Sequence, residues 1–210
     1  MRKELETRFF SSEIQTREEE NGEIGVIAGR PIVYNSRTDL GYFDEIIEPG
    51  ALDRADLNDV RLCLNHDTGY VYARSRRNNA NNTMRLIPNA EGLDIEAGLA
   101  IGKSPKAKDF YSAIVRGDMS GMSFMFSVED EEWEGLDTDH PLRRIRAFAS
   151  VVEVSLVTFP AYQATSIGAR SSAALENARA VLERARRSAP LDSGKKCSDL
   201  ELLKLKTKLL

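Results

Sequence analysis

The sequence predicts an α+β protein: a β-rich body whose sheet curls into a barrel, with one or two helices and a helical tail. Three observations carry this. Apolar residues alternate with period two over residues 58–66 and again over 92–101. A punctuated helix begins at Ser104-Pro105. From Ser171 to Arg187 the spacing turns helical, with Leu175, Val181 and Leu182 among alanines and arginines.

Residues 1–22 are polar and charged and read as an arm, irregular or an edge strand, that ends in a turn. Over 24–34, Ile24, Val26, Ala28, Ile32 and Tyr34 alternate around a glycine, which predicts two short strands or one bulged strand. In 58–66, Val60, Leu62, Leu64 and His66 share one face and Arg61, Cys63 and Asn65 the other. Residues 74–82 read as a polar loop, and 92–101 as a strand with Leu93, Ile95, Ala97, Leu99 and Ile101 on one side. Ser104 caps the next helix, Pro105 suits its first position, Gly117 ends it, and Phe110, Ala113 and Ile114 supply its apolar stripe. A strand over 122–128, an acidic loop over 129–139 and a second strand over 147–159, closed by Pro160, follow. After the helix from Ser171, 188–193 read as a linker and 200–210 as a helix too short to stand alone. The chain thus divides into an arm (1–22), a body (23–170) and a tail (171–210).

Composition narrows the function classes. No apolar run approaches the roughly 18 residues that span a bilayer, and the first residues lack a secretory signal's apolar stretch. Cys63 and Cys197 lie far apart, and two cysteines make no disulfide framework, which points to a reducing compartment. The net charge of −4 argues against duplex DNA as a specific partner. From Arg170 onward, however, ten Lys/Arg stand against five Asp/Glu, so a basic tail follows an acidic body. A solvated helix with spare charge accounts for this as well as a recruiting tail does.

Three places could hold chemistry. His66, in Asn65-His66-Asp67, is the better placed of two histidines to exchange a proton, although a histidine at a strand end is more often structural. On a strand from Met122, Ser123 leaves the face opposite Phe124 and Phe126, so the rings can anchor the strand while the hydroxyl faces a cleft. Gly121-Met122-Ser123-Phe124-Met125 lacks the second glycine of a nucleophile elbow, and the surrounding pattern lacks repeated strand–helix alternation, which argues against an α/β-hydrolase. Glu153 sits in the apolar run 151–159, where a carboxylate needs a partner. That partner could be Arg143, Arg144 or Arg146, or else the ring N–H of His66 as in a serine-protease triad. The histidines and cysteines have no zinc-ligand spacing, there is no phosphate loop, and Cys63 reads as a buried, inert thiol.

Four stretches in order add a resemblance: 45–52 (EIIEPGAL), 64–67 (LNHD), 119–126 (MSGMSFMF) and 153–162 (EVSLVTFPAY). Together they resemble the prohead protease family of tailed bacteriophages, which is similar to the herpesvirus maturational protease, assemblin. The resemblance implies a closed or nearly closed β-barrel flanked by helices, with 23–170 as a serine protease domain. It implies Ser123 as nucleophile, His66 as base and Glu153 as the third member, where the herpesvirus enzymes use a second histidine. His140, in a turn-like segment, is the literal alternative for that role. The implied substrates are the major capsid protein with its scaffolding segment, or a separate scaffold protein. Cleavage would take place in the host cytoplasm inside the assembling prohead, with self-cleavage and without a cofactor. The resemblance also admits a homodimer, and a non-enzymatic assembly protein is the rival class.

Overall fold

A sixteen-residue strand organises the molecule in the computed structural model, which describes residues 4–76, 81–119, 121–158 and 172–189. In chain order the strands are β1 (Glu6–Ser11), β2 (Gln15–Glu18), β3 (Gly25–Val33), β4 (Thr38–Asp39), β5 (Asp44–Ile47), β6 (Asp59–Leu64), β7 (Ala73–Arg76), β8 (Met84–Asn89), β9 (Gly92–Leu99), β10 (Gly121–Glu134) and β11 (Leu142–Val157). The helices are α1 (Pro105–Val115), between β9 and β10, and α2 (Ser172–Ser188), after β11.

β10 runs antiparallel along one side of β11, from Gly121 opposite Val157 to Glu134 opposite Leu142. On its other side β11 holds β5 in parallel near its start and β6 in parallel near its end. β1 covers the outer edge of β10, so the larger sheet runs β1-β10-β11-β5-β4, with β6 and β7 extending from β11. The second sheet, β2-β3-β9-β8, is antiparallel throughout. Its inner face (Ile27, Ile32, Leu93, Ile95, Leu99) packs in one core with Phe124, Phe126, Val154 and Leu156 of the larger sheet and Phe110 and Ile114 of α1.

The expected barrel does not close. Hydrogen-bonded pairing among the described residues gives two sheets that meet at two seams. One seam carries a backbone bond from Thr83 to the Arg74 carbonyl (3.0 Å), the other a bond from the Arg30 N–H to Ser12 Oγ (3.0 Å). β7 and β2, at these margins, are four residues each and polar, and on the β7 side the Arg74 and Arg76 N–H groups donate to the side chains of Thr83 (2.9 Å) and Asn82 (2.7 Å) instead of to a paired strand.

Local signals explain most elements. Ser104 accepts the Ala107 N–H (3.2 Å), Pro105 opens α1, and Gly117 leaves it with φ +80. β3 is one bulged strand, with its register shift between Gly29 and Ile32. Gly92, at φ +147, lets β9 begin against that bulge, where a Cβ would lie 1.9 Å from the Ile32 carbonyl oxygen.

Several expectations change. β10 continues through the supposed acidic loop to Glu134, and β11 starts at Leu142 rather than 147. Cross-strand pairs make this affordable: Arg144 bonds Glu134, and Arg146 pairs with Glu132. Arg74–Arg76 belong to β7 rather than to a loop, and Arg74 binds Asp59. The stretches 77–80 and 190–210, including Cys197, lie outside the described residues, as do Pro160 and Ser171. α2 rests on the body through Ala178, Val181 and Leu182, which cluster with Leu40 and Phe43. No helix among the described residues is long and apolar enough to cross a membrane.

Candidate active site

β6 stops at Leu64, so His66 is not the last residue of a strand as the alternation suggested. Asn65 and His66 both take left-handed backbone angles, φ 48 and 61. Such angles cost non-glycine residues of order 1–3 kcal/mol each, with asparagine among the more tolerant. The surroundings hold the turn. The Asn65 N–H donates to the Leu156 carbonyl (3.0 Å), and its Oδ1 accepts the Thr158 N–H (3.2 Å). The His66 N–H donates to Ser155 Oγ (3.0 Å), and the Asp67 N–H to the Leu64 carbonyl (2.9 Å). The turn folds the imidazole back over the sheet, where a continuing strand would have carried it off the end.

There it meets two residues from neighbouring strands. Ser123 Oγ, on β10, lies 2.6 Å from His66 Nε2, and Glu153 Oε2, on β11, lies 2.6 Å from His66 Nδ1. A carboxylate only accepts, so it holds a proton on Nδ1 and leaves Nε2 as an acceptor toward the hydroxyl. Ser123 and Glu153 are buried, and the imidazole is about one-fifth exposed (20%). The three sequence-predicted residues are therefore brought into one hydrogen-bonded line.

The sequence reading missed Ser155 and Phe9. Ser155, buried two residues beyond Glu153, donates to Glu153 Oε1 while accepting the His66 N–H. The period of two on β11 puts Ser155 on the Glu153 face, which is the signal that could have found it. The Phe9 ring meets the His66 imidazole edge-on, with centroids 5.7 Å apart.

The arginines near Glu153 in sequence do not pair with it. Arg143 instead joins a buried cluster with Glu6, Arg8 and Glu45. Arg8 Nε–Glu45 Oε1 and Arg143 Nη1–Glu6 Oε2 are both 2.6 Å, Arg143 Nη1–Glu45 Oε2 is 2.9 Å, and Glu131 also binds Arg143. Burial would push the Glu6 carboxyl up, but the hydrogen bond and charge of Arg143, with Arg8 and Arg184, hold it down at about 2. His140 sits in the exposed turn between β10 and β11, 3.2 Å from Asp44 Oδ1. Cys63 is buried, and desolvation, with Glu153 nearby, pushes its thiol up to about 11.

The family model described as caudovirus prohead serine protease matches residues 12–179. A curated relative, the prohead protease of Enterobacteria phage HK97, is 29% identical over 155 residues, 72% of this chain and 63% of that protein. The chain therefore spans less than two thirds of that relative's length. No solved structure matches.

Proposed function

The chain belongs to the caudovirus prohead serine protease family, and from that premise we propose that it is a serine endopeptidase with Ser123 as nucleophile, His66 as base and Glu153 as the group that orients the base. The observation that carries this reading is the line of hydroxyl, imidazole and carboxylate, with both contacts at 2.6 Å. A carrier protein would have no use for a polar line of this kind, held by a strained turn inside an apolar sheet.

Ser123 Oγ forms a bond to the carbon of the scissile carbonyl as its proton passes to His66 Nε2. The imidazolium is stabilised by Glu153 and returns the proton to the departing amine as the C–N bond breaks. Water, deprotonated by the same Nε2, then releases the acyl group and restores the serine. Ser155 fixes the unused oxygen of Glu153, and the turn at Asn65 fixes the imidazole, so little ordering remains for the reaction itself.

The substrates in this reading are the scaffolding segment of the major capsid protein, or a separate scaffold protein, together with the chain's own linkers. Cleavage takes place inside the assembling prohead. Intact-mass analysis of the purified chain over hours tests the activity: the wild type should nick itself and Ser123→Ala should not. Equal nicking by both would refute the assignment.

A further inference from the structure

Ser123 is 0% exposed, although a nucleophile must reach a peptide carbonyl. Part of its cover is β1. The Phe9 position of β1 lies opposite Ser123, and the Arg8 carbonyl oxygen accepts a hydrogen bond from Ser123 Oγ at 2.8 Å. A serine hydroxyl has a single proton. While that proton points at Arg8, it is not given to His66 Nε2. The Arg8 carbonyl presents its oxygen, not its carbon, to the nucleophile, so the Arg8–Phe9 bond is not in a pose that can be attacked.

We propose that β1 is a resident pseudosubstrate: it fills the edge of β10 that an extended segment of the protein substrate takes, and the substrate strand must displace it before cleavage. The inference rests on the reading of Ser123 as nucleophile. β10 has two edges, and β11 holds one along its whole length. A peptide that pairs with the nucleophile's own strand can do so only where β1 now pairs, from Glu6 opposite Phe126 to Ser11 opposite Gly121. Strand-for-strand exchange preserves the main-chain hydrogen bonds, as in other β-addition modes of peptide binding.

The side chains of β1 suit a removable part. Its buried anchors are charged: Arg8 on Glu45 and Glu6 on Arg143, with Arg8 Nη1 also 3.3 Å from Asn177 Oδ1 of α2. When β1 leaves, it withdraws one cation and one anion. Arg143 stays bonded to Glu45 and Glu131, so no buried charge is stranded, which is the expensive outcome. The family match begins at residue 12, immediately after this strand.

The test is a reversible lock. Thr7 and Met125 face each other across the two strands, and a Thr7→Cys/Met125→Cys chain in a Cys197→Ser background can be oxidised and reduced as one preparation. The readout is the rate at which a fluorophosphonate probe labels Ser123. Oxidation should slow labelling at least tenfold, and reduction should restore it. Equal rates of Ser123 labelling in the two forms would overturn strand exchange and leave the nucleophile assignment standing. Label on another serine, or on none, would defeat the assignment itself. Hydrogen exchange on the wild-type chain supplies a second measurement that needs no disulfide. After phosphonylation, the amides of residues 6–11 should lose protection while those of β11 keep theirs, and unchanged protection of β1 would overturn the proposal.

Discussion

Glu153 and Ser155 leave β11 on the same side, and together they make the turn at His66 a rigid mount for the imidazole. Glu153 holds the ring through Nδ1, and Ser155 holds both the carboxylate and the His66 amide. In the proposed mechanism Glu153→Gln keeps the shape but loses the charge that stabilises the imidazolium. Cleavage should fall by roughly 10² to 10⁴ with the fold intact, as for other triad orienters. Ser155→Ala removes a hydrogen bond to a charged group, worth about 1.5–3 kcal/mol. That should lower kcat by roughly ten- to a hundredfold with little change in KM, measured on a labelled peptide substrate. His140→Ala, by contrast, removes surface contacts with Asp44 and Asp39, far from Glu153 in the sheet, and should stay within about threefold of wild type, roughly 0.6 kcal/mol in barrier. A dead His140→Ala beside an active Glu153→Gln would transfer the orienting role to His140.

At the scale of elements, legibility followed the distance over which partners act. α1 was readable in full because its cap, proline and terminal glycine are all local. β9 was readable because one of its faces is buried along its whole length. The ends of β10 and β11 were not, since a run such as Glu131-Glu132-Trp133-Glu134 looks like a loop until the arginines of the facing strand are counted. β1 is the strongest case. Glu6 and Arg8 look like solvated charges, yet they are buried on partners 137 and 37 residues away. No window on the sequence reveals such a cluster. His66 was misread in conformation and not in identity, because alternation continues through a turn that asparagine makes affordable. The ion cluster predicts a pH response. Glu6 is held at about 2 against an ordinary 4.5, so its contribution is complete above about pH 4.5 and is lost as pH falls toward 2. The shift corresponds to about 3 kcal/mol. Urea unfolding from pH 7 down to 2 should show a steep loss in that window for wild type, and a shallower one for Glu6→Gln from a lower neutral-pH stability. Equal slopes would mean that Arg143 does not hold the carboxyl down.

On the whole molecule, the two sheets form one core, and the helix after β11 is fastened to it. Val181 and Leu182 of α2 are buried beside Leu40 and Phe43, and Arg186 donates to the Thr138 carbonyl (2.7 Å). The basic tail read from the sequence therefore includes a part that rests on the body. Deleting 172–210 should cost about 4 kcal/mol from these two side chains, seen as a fall in thermal midpoint. If the tail from Ser171 to Leu210 serves recruitment, as its excess of Lys/Arg over Asp/Glu suggests, its deletion should also lower the number of protease copies in purified proheads. All of this depends on Ser123 being the atom that cuts. The most direct measurement is co-expression with the major capsid protein of the same phage, comparing wild type with Ser123→Ala by the mass of the capsid protein in purified particles. Wild type should yield the shortened capsid protein, and Ser123→Ala the full-length one beside a folded protease chain; a shortened capsid protein in the Ser123→Ala particles would contradict the account.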